Sequence, residues 1–279
     1  MTLETDVANH YTTGALTDRV KAAMIAAGID PEAATAKDLK AGDEFHTGGV
    51  AASDHFFGHL DITSEMRVLD AGCGIGGTSR LIADRFGATV TGVDLTPEFV
   101  ETARDLTEMV GMGDRIGFHV GSVLDMPVGD AEFDLAVMMH VGMNIADKTA
   151  LMSEVARCLK PGGTFAVFDV MAGPSGAAAL YPVPWSTVAE TSFLHSPDTY
   201  ADAAAAAGLT EILREDRTAF ARDFFAQVAA KTVEAGGPPP FGIHLMMGET
   251  APEKFGNYVR GLEIGALAPT EMIFRKDAA

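Results

Sequence analysis

VLDAGCGIGGTSRLIADRFGATVTGVD runs from Val68 to Asp94. An apolar run over Arg67–Asp70 ends on a carboxylate. A turn holding Gly72, Gly74, Gly76 and Gly77 follows, with apolar residues at helical spacing over Gly76–Phe86. A second apolar run, Thr89–Val93, leads into Asp94. Strand, glycine turn, helix and strand in this order make a crossover unit. Its two strands lie parallel because the helix returns the chain to the starting end.

The alternation continues beyond this unit. It predicts strands over Ile116–Val120, Phe133–Met139 and Thr164–Asp169, and helices over Pro97–Val110 and Ala146–Leu159. The KPGG of Lys160–Gly163 is expected to stop the last of these helices. After the loop MAGPSGAAALYPVPW, SPDTYADAAAAAGL predicts a helix capped by Ser196 and stopped at Gly208. TEILREDRT and EMIFRK predict two late strands. Between them lie two helical stretches split by GGPPPFG, too long a segment for a hairpin and expected to cap the ligand face. Upstream, LTDRVKAAMIAAGID and TGGVAASDHFFGHLD predict helices and no strand. The expected class is α/β: a Rossmann-like, seven-stranded, mostly parallel sheet with helices on both faces. Residues 1–64 are expected to form an N-terminal helical arm, 65–218 the core, 219–265 a helical cap insertion, and 266–279 the last strand and tail.

The chain has 279 residues, 47% of them hydrophobic, and a formal net charge of −19. So acidic a chain lacks the basic face that a phosphate backbone or an anionic membrane requires, so neither nucleic acid nor membrane is an expected partner. Two cysteines, Cys73 and Cys158, allow neither a paired-ligand zinc site nor a disulfide framework. The beginning, MTLETDVANHYTT, has no basic region followed by an apolar run, and no 18-residue apolar stretch occurs. A cytoplasmic protein, monomeric or homodimeric, is expected.

Gly72, Gly74 and Gly77 match GxGxxG, and Asp94 stands 20 residues past Gly74, where an acid at a strand end bonds ribose hydroxyls. Nicotinamide dinucleotides and S-adenosylmethionine share that ribose. Asp70 separates them. A dinucleotide places its pyrophosphate on the glycine loop. A carboxylate there would repel it by roughly 4 kcal/mol for charges about 4 Å apart at an effective dielectric of about 20. S-adenosylmethionine carries an ammonium and a sulfonium instead. Asp70 also has a structural reading, as a strand-end cap of the turn.

The stretch resembles the class I S-adenosylmethionine-dependent methyltransferases, and more narrowly the ubiquinone-methyltransferase and sarcosine/dimethylglycine-methyltransferase-like group. FHTGG (Phe45–Gly49), VLDAGCGIGGTSR, VTGVDLTPEFVETAR, MMHVGMNIADK, LKPGG, YPVPW, DRTA and PPPFGIHLMMG carry the resemblance over nearly the whole chain. It implies transfer of a methyl group to a small-molecule acceptor by in-line displacement, with S-adenosylhomocysteine as product. The acceptor is expected to be a small amine such as a glycine derivative. An apolar quinone-like, prenyl or thiol acceptor methylated at carbon, oxygen or sulfur is the alternative. A nicotinamide oxidoreductase and a non-catalytic relative that holds the cofactor are the competing classes.

The resemblance implies cofactor contacts at Asp70, Gly72, Gly74, Gly76, Asp94 and Leu95. Where relatives have GDA after the third strand, this chain has Gly121, Ser122 and Val123. Ser122 is uncharged, the Val123 backbone is placed to read the adenine edge, and Asp125 is an alternative. His46 in FHTGG is implied beside the cofactor or as a helix cap, and Tyr11 as a closure from the terminus. His140, ending the fourth strand, is the catalytic candidate, taking a proton or orienting the acceptor. Packing on the methionine moiety is its other reading. Met143 and Asn144 flank it as acceptor contacts. Trp185 and Tyr181 suit an aromatic wall, His244 an acceptor pocket on the cap, and Arg217 a carboxylate clamp. No metal is expected: there is no HExxH, and methyl transfer from a sulfonium requires none.

Overall fold

A computed structural model of the chain describes residues 3–12 and 14–278. Seven strands form one sheet in the order β3-β2-β1-β4-β5-β7-β6. They are β1 (Arg67–Ala71), β2 (Thr89–Asp94), β3 (Ile116–Val120), β4 (Phe133–Met139), β5 (Leu159–Ala172), β6 (Leu209–Asp216) and β7 (Leu267–Lys276). The pairs from β3 to β5 are parallel, and β7 runs antiparallel between β5 and β6. The strand order reverses between β1 and β4, which opens a crevice beyond their carboxyl ends.

The helices are α1 (Leu3–Tyr11), α2 (Leu16–Ala26), α3 (Ala36–Asp43), α4 (Gly49–Gly58), α5 (Gly77–Phe86), α6 (Pro97–Met109), α7 (Lys148–Cys158), α8 (Pro197–Ala206), α9 (Thr218–Glu234), α10 (His244–Met247) and α11 (Ala251–Glu263). Leu151, Met152 and Val155 of α7 and Tyr200 of α8 bury one face of the sheet. Phe56 and Phe57 of α4, Ile82 of α5 and Val100 of α6 bury the other. Because both faces are covered, the central strands are apolar at almost every position, as in β4. Two further apolar clusters lie at the ligand end. One joins α2 and α6 through Leu16, Val20 and Leu106. The other joins the loop after β5 to α9 and α11 through Trp185, Ala221 and Tyr258.

The structure departs from the sequence expectations at several places. Lys160–Gly163 is the beginning of β5, since α7 passes into the strand at Leu159 without an intervening loop. β7 begins at Leu267, ahead of the EMIFRK stretch, because pairing with both neighbours extends it. The arm contains α1 and α3 in addition to the two helices anticipated. α1 is short and scarcely apolar, with only Val7 buried, so its periodicity gives little signal.

Candidate active site

The glycine loop is held at Gly72 and Gly77 by contacts that leave no room for a side chain. Gly72 sits at φ 81°, and a Cβ there would meet Val141 Cγ2 at 2.3 Å. A Cβ on Gly77 would meet the Asp43 carbonyl oxygen at 2.2 Å, so the arm approaches the loop at backbone distance. Asp94 fixes the loop from below. Its Oδ2 accepts from the Gly74 N–H at 2.9 Å and its Oδ1 from the Thr96 N–H at 2.8 Å. Each oxygen keeps a lone pair for a further donor. Burial holds the Asp94 carboxyl above the usual carboxylate range.

Above the loop lies a cavity of about 220 Å³. Gly72, Gly74, Asp94, Leu95, Ser122 and Val123 line it, with Tyr11, His46, His140 and Asn144 at its inner end. Leu3, Glu4 and Val7 of α1 cover the Ser122 side, where Ser122 Oγ donates to Glu4 Oε1. Among the described residues no lysine or arginine lines this cavity, whereas Glu4, Asp43, Asp94 and Asp147 do.

A second, smaller space of about 50 Å³ adjoins it. Tyr11, Phe45, His46 and His140 belong to both linings and stand between the two spaces. The rest of the second lining is mostly apolar or aromatic: Met143 and Trp185 beyond β4 and β5, then Phe224, Phe225, Phe255 and Tyr258 from α9 and α11. Among the described residues it contains no lysine, arginine, aspartate or glutamate.

His140 ends β4 with φ 58°, a left-handed conformation that histidine adopts more readily than most residues. This turn brings both its backbone N–H and its ring Nδ1 to the Phe168 carbonyl, at 2.7 and 3.0 Å. Its Nε2 accepts from the Thr47 N–H at 3.1 Å. Burial pushes the ring pKa down to about 3, with His46 adding to the effect. The ring is therefore neutral at physiological pH. His46 bonds Glu44 Oε2 through Nε2 at 2.7 Å, and Ser53 shares that carboxylate oxygen. Tyr11 donates to Asn144 Oδ1 at 3.1 Å, and Asn144 Nδ2 donates to the Trp185 and Thr191 carbonyls. Lys148 ties the segment after β4 through the carbonyls of Gly142 and Ile145.

Several candidates lie elsewhere than the sequence suggests. Asp70 is buried beneath the loop and outside the cavity lining, where it accepts from Ser79 Oγ at 2.6 Å. Burial raises its pKa to about 7, and of the two strand-end acids it is Asp94 that lines the cavity. Gly76 also lies outside the lining, as the residue preceding α5. Asp125 is outside it too, in a bridge with Ser122. Arg217 reaches neither cavity. It pairs with Glu215 and the buried Glu271 and stacks on Phe220, because β6 ends on the outer side of β7. His244 begins α10 but is absent from both linings; Ile243 and Met247 line the smaller space and Met246 the larger. Tyr181 packs in the cluster around Trp185 without lining either space. Cys73 is buried, and that burial pushes its thiol pKa up, away from nucleophilic reactivity.

Thr47, Phe255, Tyr258 and α1 were not singled out by the sequence. The one local signal was the pair Phe255 and Tyr258, three residues apart on one face of α11.

With fold and cavity in place, the chain can be set beside known proteins. Residues 69–167 match the methyltransferase domain family. Residues 69–167 thus carry the sequence pattern of a methyltransferase domain. Methyltransferase GfsG of Streptomyces halstedii is 31% identical over 129 residues, 46% of either chain. Tocopherol O-methyltransferase of Arabidopsis thaliana is 39% identical over 97 residues, 35% of this chain and 28% of that one. The chain thus spans less than half the length of these curated relatives. Among solved structures, geranyl diphosphate C-methyltransferase from Streptomyces coelicolor A3(2), in complex with S-adenosyl-L-homocysteine, superposes with a TM-score of 0.66. It shares 20% identity, over 82% of this chain and 76% of that one. Among the described residues, no helix is long and apolar enough to cross a membrane.

Proposed function

We propose that this methyltransferase domain binds S-adenosylmethionine in the larger cavity and methylates a small molecule that enters through the smaller one. One observation carries the reading: an acid-lined, lysine- and arginine-free cavity over the glycine loop meets an uncharged aromatic space at Tyr11, Phe45, His46 and His140. The donor set suits a nucleoside with cationic groups. Asp94 is available to ribose hydroxyls, and Ser122 with Val123 to an adenine edge. The acidic lining favours an ammonium and a sulfonium and repels a pyrophosphate. The ligand would supply an electrophilic methyl group already activated by its sulfonium.

The chain's own residues would orient and dry the reacting atoms. α1 covers the larger cavity, while α9, α10 and α11 cover the smaller. The absence of charge around the second space favours a neutral, apolar acceptor over a zwitterionic glycine derivative, which would need a paired cation for its carboxylate. The second space now has room for only a few water molecules. A ring-sized acceptor therefore requires Phe224 and Phe225 of α9 to turn aside, with Tyr258 of α11 staying on Thr47. Calorimetry tests the cofactor reading: S-adenosylmethionine and S-adenosylhomocysteine should both bind, and NADH should not. Binding of NADH without S-adenosylmethionine would overturn it.

A further inference from the structure

The polar contacts at the inner end of the second cavity run in one direction. His140 Nδ1 faces the Phe168 carbonyl at 3.0 Å, and a carbonyl only accepts, so Nδ1 carries the hydrogen. Nε2 is the bare nitrogen, and its lone pair is shared by the Thr47 N–H at 3.1 Å and the Thr47 hydroxyl at 2.9 Å, which turns its hydrogen towards the nitrogen because two lone pairs would repel at that distance. Thr47 Oγ1 then accepts at its 2.7 Å contact with Tyr258, and the Tyr258 hydroxyl is the donor. The Tyr258 oxygen is left with lone pairs alone, in a lining with no charged Lys, Arg, Asp or Glu. A molecule bound there satisfies that oxygen by donating a hydrogen bond to it.

We propose that the methyl acceptor is a neutral, largely apolar molecule whose hydroxyl donates to Tyr258, and that Tyr258, Thr47 and His140 carry the hydroxyl proton away as its oxygen is methylated. The inference rests on the methyltransferase reading above. The step balances. A lone pair of the acceptor oxygen forms the new C–O bond, the methyl–sulfur bond breaks, and its electron pair stays on sulfur. The acceptor proton passes to Tyr258 Oη as the Tyr258 hydrogen moves to Thr47 Oγ1 and the Thr47 hydrogen to His140 Nε2. The positive charge that began on sulfur ends on the imidazole. His140 is a weak base in this buried position. An alkylated hydroxyl is nonetheless far more acidic than an imidazolium, so the proton runs downhill once the C–O bond forms. Tyr258 touches the acceptor, and Thr47 acts through it.

The test uses the full chain loaded with S-adenosylhomocysteine and two probes, 2-naphthol and 2-methoxynaphthalene, which share a ring system but differ in hydrogen-bond donation. The wild type should bind 2-naphthol about tenfold more tightly than the ether, and Tyr258→Phe should bind the two alike while keeping its affinity for S-adenosylhomocysteine. In single turnovers with S-adenosylmethionine and 2-naphthol, Thr47→Val should lower methyl transfer on the order of a hundredfold with 2-naphthol affinity unchanged, and Thr47→Ser should restore it. Equal binding of the probes by the wild type overturns the proposal, and so does a preference that survives in Tyr258→Phe. Bound 2-naphthol that the wild type never methylates, or undiminished transfer by Thr47→Val, overturns the proton path. Failure of the wild type to bind S-adenosylhomocysteine would instead overturn the methyltransferase reading.

Discussion

Arg80 of α5 is clasped by Asp43 of α3, with Nη2 2.5 Å from Oδ1 and Nε 3.1 Å from Oδ2. Both side chains are buried, at 1% and 6% exposure, so the pair is shielded from solvent. Arg80 also donates to the Ile75 carbonyl and to Thr107 Oγ1. One guanidinium thereby joins the arm, the glycine loop and α6.

Asp43→Ala should destabilise the chain by about 3–5 kcal/mol, because it leaves the Arg80 charge buried and unpaired. The loop should loosen with it, so affinity for S-adenosylhomocysteine should fall. Urea unfolding and calorimetry on the same preparation check both effects. A variant with unchanged stability would mean that water replaces the carboxylate.

Asp94→Ala should weaken cofactor binding more than His140→Ala. Asp94 lines the larger cavity and anchors the Gly74 and Thr96 amides, whereas His140 faces Thr47 and Phe168. Hydrogen bonds to a charged group contribute about 1.5–3 kcal/mol each, so a loss of at least about tenfold is expected for Asp94→Ala. Titration of the two variants with S-adenosylmethionine gives the ranking directly.

The buried neutral His140 should tie stability to acid. Its pKa in the fold is about 3, below the ordinary value of 6.5. Between these values the unfolded chain binds a proton that the native chain does not. The contribution is therefore complete above the ordinary value and is lost progressively as pH falls from there towards 3. His140→Asn tolerates the left-handed backbone and cannot titrate. The stability difference between wild type and this variant should shift against the wild type from about pH 7.5 to about pH 5.5. Denaturant midpoints at the two pH values measure it, and a constant difference would show that the ring does not stay neutral.

Hydrogen exchange should separate the two covers. Leu3, Glu4, Val7 and Tyr11 of α1 line the larger cavity, so S-adenosylhomocysteine alone should slow exchange in α1. α9 and α11 line only the smaller one, and their amides should gain protection only when a hydroxyl-bearing probe such as 2-naphthol is added. Protection of α9 by S-adenosylhomocysteine alone would show that the cap answers to the cofactor.

The class of fold, the place of the glycine loop and the acid at the end of β2 are legible in residue order alone. These depend on local pattern: period-2 and helical spacing, glycines where φ is positive, and a carboxylate a fixed number of residues past a turn. Which candidates line a cavity depends instead on packing between remote segments. Asp70 and Asp94 read alike as strand-end acids, yet one is buried against Ser79 and the other opens on the cavity. Arg217 is a free cation on paper and a partner of Glu271 in the fold, because β7 returns antiparallel beside β6. Thr47 and Tyr258 stand 211 residues apart and meet only when the arm and the cap close on one end of the sheet. Residue order carries no distance between segments so remote, and it is side-chain packing across the crevice that sets them 2.7 Å apart.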